Sequence, residues 1–451
     1  MTKIAFRNDF LRGLGSALIE LRSCADPTPF HDIILYGCLH NTTYDMQCEG
    51  DRGWYLHQAA KLSGNEMAIE DAVCQKFFRI GKDVWLFDQL TSILYHFAVN
   101  GSETARNALY RQYDNMSSEL SRKRKFEQTC LRRDMFDWLC VWLTSLDGWG
   151  AFKKIVGDLS EILLPKNAEF FFSDWFYSNS ESKFGKKRVD QYLQKQSAQS
   201  PYIRVYYETA KKWDNHFQGR EELPMPTLPG VLDAAKEGRS GRGIAMRFVR
   251  KASPEDLEKL AQAAMNEPDA EIQTVLLWAF RRNSKYVFPE EFLLRLSHSN
   301  DELIRSLAYE IMGQNPSPKT RELARSLIQR GTDIENGIFL LVKNPLPEDE
   351  SLLYDVVKSF RPHKNEADLH GVYMNAREGI ATLRGKLKTD ILEYLYRNTL
   401  CGFCREHIIR TMHKKGVLSD DVLSECSFDA NGDVRVFAGR LTRHRQFPSA
   451  L

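Results

Sequence analysis

One short pattern recurs along the second half of this chain and constrains the fold more than any other feature. An acid or amide is followed three residues on by an aliphatic residue, four on by Arg or Gln, and seven on by a small or aliphatic residue. It reads Asp269, Ile272, Gln273, Leu276; then Asp301, Ile304, Arg305, Ala308; then Asn431, Val434, Arg435, Ala438. Cys401, Cys404, Arg405 and Ile408 keep the spacing without the acid. Gln273 and Arg305 lie 32 residues apart, Arg405 and Arg435 lie 30 apart, and the 100 between Arg305 and Arg405 leave room for about three similar steps. Offsets of three, four and seven bring side chains to one face of a helix. A single helix pair cannot bury its own apolar stripe, so the period predicts pairs stacked in series.

The first half follows the same helical periodicity with larger side chains. Residues 1–25 carry Phe6, Phe10, Leu14, Leu18 and Leu21 and stop at Pro27 and Pro29. Residues 83–99 carry Trp85, Phe87, Leu90, Leu94 and Phe97, and Trp138 and Trp142 follow in the helix over 136–146. The stretch 170–177 is aromatic all round and predicted to be buried. Most of the tryptophans fall on apolar helix faces and are expected in the core. Ser253-Pro254 and Ser317-Pro318 are cap-plus-proline helix starts. No run alternates with period two between turns, so the expected class is all-α, an α-α superhelix of repeats. Pro224, Pro226 and Pro229 mark 219–230 as a linker between an aromatic-rich region, 1–218, and a repeat region, 231–451.

The helix pairs from about 252 to 443, with Asp or Asn, then Arg, then a small residue, resemble HEAT repeats of the armadillo-like α-solenoids; the match is carried by residues 301–308 and 431–438. The chain also resembles uncharacterised bacterial HEAT-repeat proteins. The resemblance implies an extended surface for a macromolecular partner, and acid and arginine positions that link neighbouring repeats in a polar ladder. One HEAT-like family excises alkylated bases from DNA with aromatic residues and an aspartate, which makes base excision a third reading.

Composition bounds the alternatives. Of 451 residues 43% are hydrophobic, enough for a packed core, and 62 Lys and Arg against 60 Asp and Glu leave no overall field to draw a polyanion. Nine cysteines lie mostly inside apolar helical patterns, and the first ten residues mix acid and base, so reduced thiols and a cytoplasmic location are expected. No apolar run is long enough to span a membrane.

Three stretches interrupt the helical pattern and are the candidate sites. Residues 40–52 gather His40, Tyr44, Asp45, Glu49 and Arg52 into one polar linker that matches no metal-ligand spacing and reads first as a loop binding its own amides. Lys186 and Lys187, and Arg239, Arg242, Arg247 and Arg250 among glycines, could contact phosphates. Cys401 and Cys404 lack a second knuckle and read as core thiols, so neither a metal nor a cofactor is expected. The leading expectation is a non-enzymatic scaffold for a protein partner, with nucleic-acid binding through the basic residues as the alternative.

Overall fold

The computed structural model describes residues 1–46, 49–50, 52–122, 130–163, 174–218, 224–283, 285–360 and 366–446. Among the described residues the chain is helical throughout, with no strand. Of the expected elements, the aromatic residues 170–173 and the linker residues 219–223 lie outside the described residues. Two compact units form: one from residues 1–220, 400–407 and 418–451, the other from 221–399 and 408–417. The last helix pair, read from sequence as the end of the repeat region, therefore packs with the N-terminal half.

In the first unit, helices α1 (Lys3–Arg12), α3 (His31–Leu39), α5 (Glu66–Phe78) and α7 (Glu103–Arg122) line up in one row. Helices α2 (Gly15–Ser23), α4 (Gly53–Leu62), α6 (Val84–Val99) and α8 (Cys130–Leu163) form a second row against it. Phe6, Phe10, Ile34, Tyr55, Phe77, Phe87, Leu90 and Leu139 fill the space between and are buried. Local chemistry fixes the helix ends. Thr2 caps α1 by accepting from the Ala5 amide, Asp83 caps α6 by accepting from Leu86, and Gly148, at φ 63 and ψ −135, kinks α8. Helices α9 (Asp174–Phe184), α10 (Lys186–Ser197) and α11 (Pro201–Gln218) close this half against α8.

The turn between α1 and α2 meets the end of the chain. Gly13 has φ +78, and a Cβ there would lie 2.5 Å from the Ala430 Cβ. Its carbonyl accepts from the Ala430 amide at 2.8 Å. Only glycine supplies both the left-handed turn and the space.

The second unit begins with α12 (Leu228–Ala235), which starts inside the proline-rich stretch expected to be linker and carries Pro229 in its first turn. Helix α13 (Arg242–Lys251) follows. Four hairpins come next: α14 (Pro254–Asn266) with α15 (Ala270–Phe280), α16 (Glu290–Leu296) with α17 (Glu302–Met312), α18 (Pro318–Arg330) with α19 (Ile334–Leu341), and α20 (Asp349–Ser359) with α21 (Glu366–Thr382). The second helices touch in sequence order, α13 to α15 to α17 to α19 to α21. Ser253 and Ser317 cap α14 and α18 by accepting from Asp256 and Thr320, as their cap-plus-proline sequences predict. Helix α22 (Ile391–Asn398) precedes α23 (Gly402–Lys414), α24 (Asp420–Cys426) and α25 (Gly432–Gln446).

Candidate functional site

The repeated acid and arginine have a more local role than a ladder between repeats. Asp269 accepts from the Glu271 and Ile272 amides, Asp301 from Leu303 and Ile304, and Asn431 from Asp433 and Val434, so each caps its own helix. The residue four on turns back to carbonyls of the preceding loop or helix end: Gln273 to Ala264 and Glu267, Arg305 to Ser299 and Asn300, Arg435 to Asp429 and Ala430. Arg305 approaches the next pair only at 4.0 Å from Asp333. Close ion pairs between helix pairs are made by Arg405, which keeps the motif spacing and donates to Asp429 of the next pair, and by residues outside the motif, as where Arg321 and Arg325 share the buried carboxylate of Asp349.

The polar linker is divided between a buried tie and an exposed edge. Glu49 Oε1 accepts from the Tyr44 and Asp45 amides at 2.8 and 2.9 Å, and Glu49 Oε2 takes Arg52 Nη2 at 2.7 Å. Arg52 Nη1 donates to the Leu11 carbonyl at 2.7 Å, which binds the linker to the α1–α2 turn. Asn431 reaches the Glu49 carbonyl at 3.4 Å. Beside them Arg405 donates to both carboxylate oxygens of Asp429 at 2.9 and 3.0 Å, with both side chains fully buried. His40 stands apart, exposed, stacked on Tyr36 with ring centroids 4.3 Å apart. This cluster joins segments 392 residues apart, Gly13 to Arg405, and its charges face one another.

The basic residues fall in different units. Lys186 and Lys187 are exposed on α10, and Lys186 lies 3.7 Å from Glu181. In the second unit Arg239 and Arg250 are exposed, while Arg242 and Arg247 are half-buried. The guanidiniums of Arg242 and Arg281 each lie 4.3 Å from the ring centre of Trp278. Burial, then the charges of Arg239 and Arg281, hold the Arg242 pKa below its usual range. A cavity of about 310 Å³ nearby in sequence is lined by apolar Val287, Phe288, Leu293, Ile311 and Met312 and by polar Glu290, Asn315, Ser317 and Thr320, and its Glu290 carboxylate accepts from Ser317.

The tryptophans correct the sequence expectation. None of the seven described tryptophan side chains is buried: Trp54, Trp85, Trp138, Trp142, Trp149 and Trp278 are half-buried and Trp175 is exposed. Three of them meet where α6 lies beside α8. Trp85 packs on Trp138 with centroids 5.4 Å apart, Tyr95 on Trp142 at 4.8 Å, and the Trp142 indole N–H donates to Asp88 at 3.1 Å. The result is two ring pairs between α6 and α8, all four rings half-buried, with Asp88 held by one of the indoles. Leu86, Phe87, Leu90, Leu94 and Phe97 form the buried side of α6, while Trp85, Asp88 and Tyr95 form the other. Both sides are apolar in sequence, so periodicity alone did not separate core from surface. The visible signal was the lone Asp88 among aromatics. No family model and no curated protein matches the chain.

Proposed function

We propose that this protein is a non-enzymatic recognition scaffold of HEAT-like helix pairs that binds a protein partner on the α6–α8 face. The observation that carries this reading is the cluster of Trp85, Tyr95, Trp138 and Trp142, half-exposed on adjacent helices. Large aromatic residues combine apolar area with little rotamer entropy and dominate the energetics of protein interfaces. Free cysteines at Cys24, Cys38, Cys74 and Cys140 support a reducing, cytoplasmic setting.

The test is selection of a displayed random-peptide library on the full-length protein. Selected peptides should bind the wild type, and Trp85→Leu with Trp138→Leu should weaken them about tenfold or more. Helix content by circular dichroism should stay unchanged. Equal binding by wild type and double variant would exclude this face.

A second reading, nucleic-acid binding in the other unit, is favoured by Arg242 and Arg281 over Trp278, with the charge of Arg239 acting on Arg242. A bound phosphate would relieve the mutual repulsion of those guanidiniums. Its test is titration with duplex DNA and RNA across a salt series. Glutamine at Arg239, Arg242, Arg247 and Arg250 should flatten the salt dependence, and no binding at low salt sinks this reading. Base excision gains the aromatic–aspartate combination at Asp88. However, Asp88 accepts from the Trp142 indole and is thereby engaged in packing α8 on α6, which favours a protein partner there over a catalytic carboxylate.

A further inference from the structure

We propose that Cys401 and Cys404 form a binding site for a soft, thiophilic metal ion, copper(I), held between their two sulfurs at the start of α23. The pair belongs to the first unit, and the site is independent of the partner-binding reading.

Three observations carry it. The first is position. The Cys401 carbonyl accepts from the Arg405 amide at 3.1 Å, so Cys401 stands at the cap of α23 and Cys404 in its first turn. Side chains at a cap and three residues on reach one another, as in a capping box. The two sulfurs lie within 4.8 Å of each other as free thiols. A zinc–thiolate bond is about 2.3 Å long, so an ion of similar size touches both sulfurs with little more than side-chain adjustment.

The second is what the repeat carries elsewhere. The cap place holds Asp269, Asp301 and Asn431 in the other copies, and the place three on holds Ile272, Ile304 and Val434. Both places change to cysteine in one copy, and they are the two whose side chains meet. A thiol accepts more weakly than a carboxylate and fills less space than isoleucine, so neither change improves capping or packing.

The third is the setting. Cys401 is 2% exposed and Cys404 6%. A Cβ on Gly402, between them, would lie 3.1 Å from Glu49 Oε2 and 3.3 Å from Arg405 Nη2, so the first turn is pressed against the buried polar cluster. Arg405, next along, is locked on Asp429. The backbone that carries the sulfurs is fixed before an ion arrives, which lowers the cost of binding. On binding, two S–H bonds break, two protons pass to the buffer and two sulfur–copper bonds form, with no change of oxidation state. The single negative charge that results lies at the positive end of α23. Closed zinc sites take four ligands, whereas two thiolates satisfy copper(I), and soft sulfur selects it.

The test titrates the reduced full-length protein, free of air, with copper(I) carried by bathocuproine disulfonate, whose colour fades as copper leaves it. One copper(I) should transfer per chain, and X-ray absorption should show two sulfur ligands. Cys401→Asn and Cys404→Val install the residues that the copy at 431–438 carries in these places, so both should keep the helix content of the wild type. Each should weaken copper(I) binding about a hundredfold or more, while Cys24→Ser binds as the wild type. Copper(I) should raise the melting temperature of the wild type and not of the two variants. No transfer from the chelator overturns the proposal, as does equal binding by the wild type and both variants, which would place the metal on other thiols. If a variant fails to fold, the wild-type absorption spectrum decides, and fewer than two sulfur ligands overturns the proposal. A disulfide that forms in air, with no copper(I) taken up in reductant, overturns it in favour of a redox pair. Zinc that displaces bound copper(I) overturns the choice of metal.

Discussion

At the scale of single residues, the charges that matter most for stability are those withdrawn from water. Arg405 and Asp429 are fully buried, and their bidentate pair offsets a large desolvation cost only while both are present. Asp429→Ala leaves the guanidinium in the interior without its carboxylate and should cost about 3–5 kcal/mol, read as a lower urea midpoint. Arg405→Met with Asp429→Leu should recover a large part of that loss. If the single and double variants are equally destabilised, the pair is contributing shape and not charge compensation. His57 offers a second test. It is fully buried, edge-on to Phe97 and stacked near His96, and burial, then the charges of His96 and Lys61, lower its pKa to about 4. The neutral ring is the folded form, whereas the unfolded chain takes up a proton near its ordinary value of about 6.5. Its contribution is therefore complete above about pH 6.5 and is lost as the pH falls toward 4, by about 3 kcal/mol in total. His57→Leu should flatten unfolding free energy against pH across that window, and an unchanged slope would assign the dependence to other groups.

At the scale of helices, the repeated motif illustrates what a sequence discloses. Ser253, Ser317 and the glycine and proline stops were legible because caps act within one turn. The spacing of Asp301 and Arg305 was legible too, but its purpose was not, since a carboxylate can equally cap its own helix or reach a neighbour. The bonds that Asp269 and Asp301 accept from the amides two and three residues on decide for capping. Asp301→Ala should then lower stability by about 1 kcal/mol, and Asp333→Asn, which removes the charge and keeps a residue that tolerates the left-handed backbone at φ 56, by less, because the Arg305–Asp333 approach is only 4.0 Å and half-exposed. The reverse order, measured by thermal unfolding, would restore the ladder. The face of α6 was harder to read. A helix that is apolar on every side does not announce which side a neighbour will cover, and only the ring pairs Trp85–Trp138 and Tyr95–Trp142 locate the uncovered one.

At the scale of the molecule, the unexpected feature is the membership of the first unit. No local pattern links Gly13 to Ala430 or Leu11 to Arg52, because long-range pairing leaves no periodic trace. Removing residues 418–451 strips that unit of Asp429, Asn431 and the α24 contact with α2. The truncated protein should show early proteolytic cutting near Gly13 and a lower melting temperature for the N-terminal half, not the mere loss of a tail. Resistance to protease equal to that of the full chain would mean that residues 1–220 complete their own core.

That discontinuity also sets an order of events during synthesis. The α1–α2 turn leaves the ribosome 392 residues before Arg405 does, which at 5–20 residues per second is a delay of roughly 20 to 80 seconds. Until then the buried cluster around Glu49 and Arg52 lacks the residues that shield it, while residues 221–399 of the second unit, encoded in between, have already emerged. The N-terminal half is thus translated first and finished last, and a chaperone that holds the nascent chain would find its binding site there.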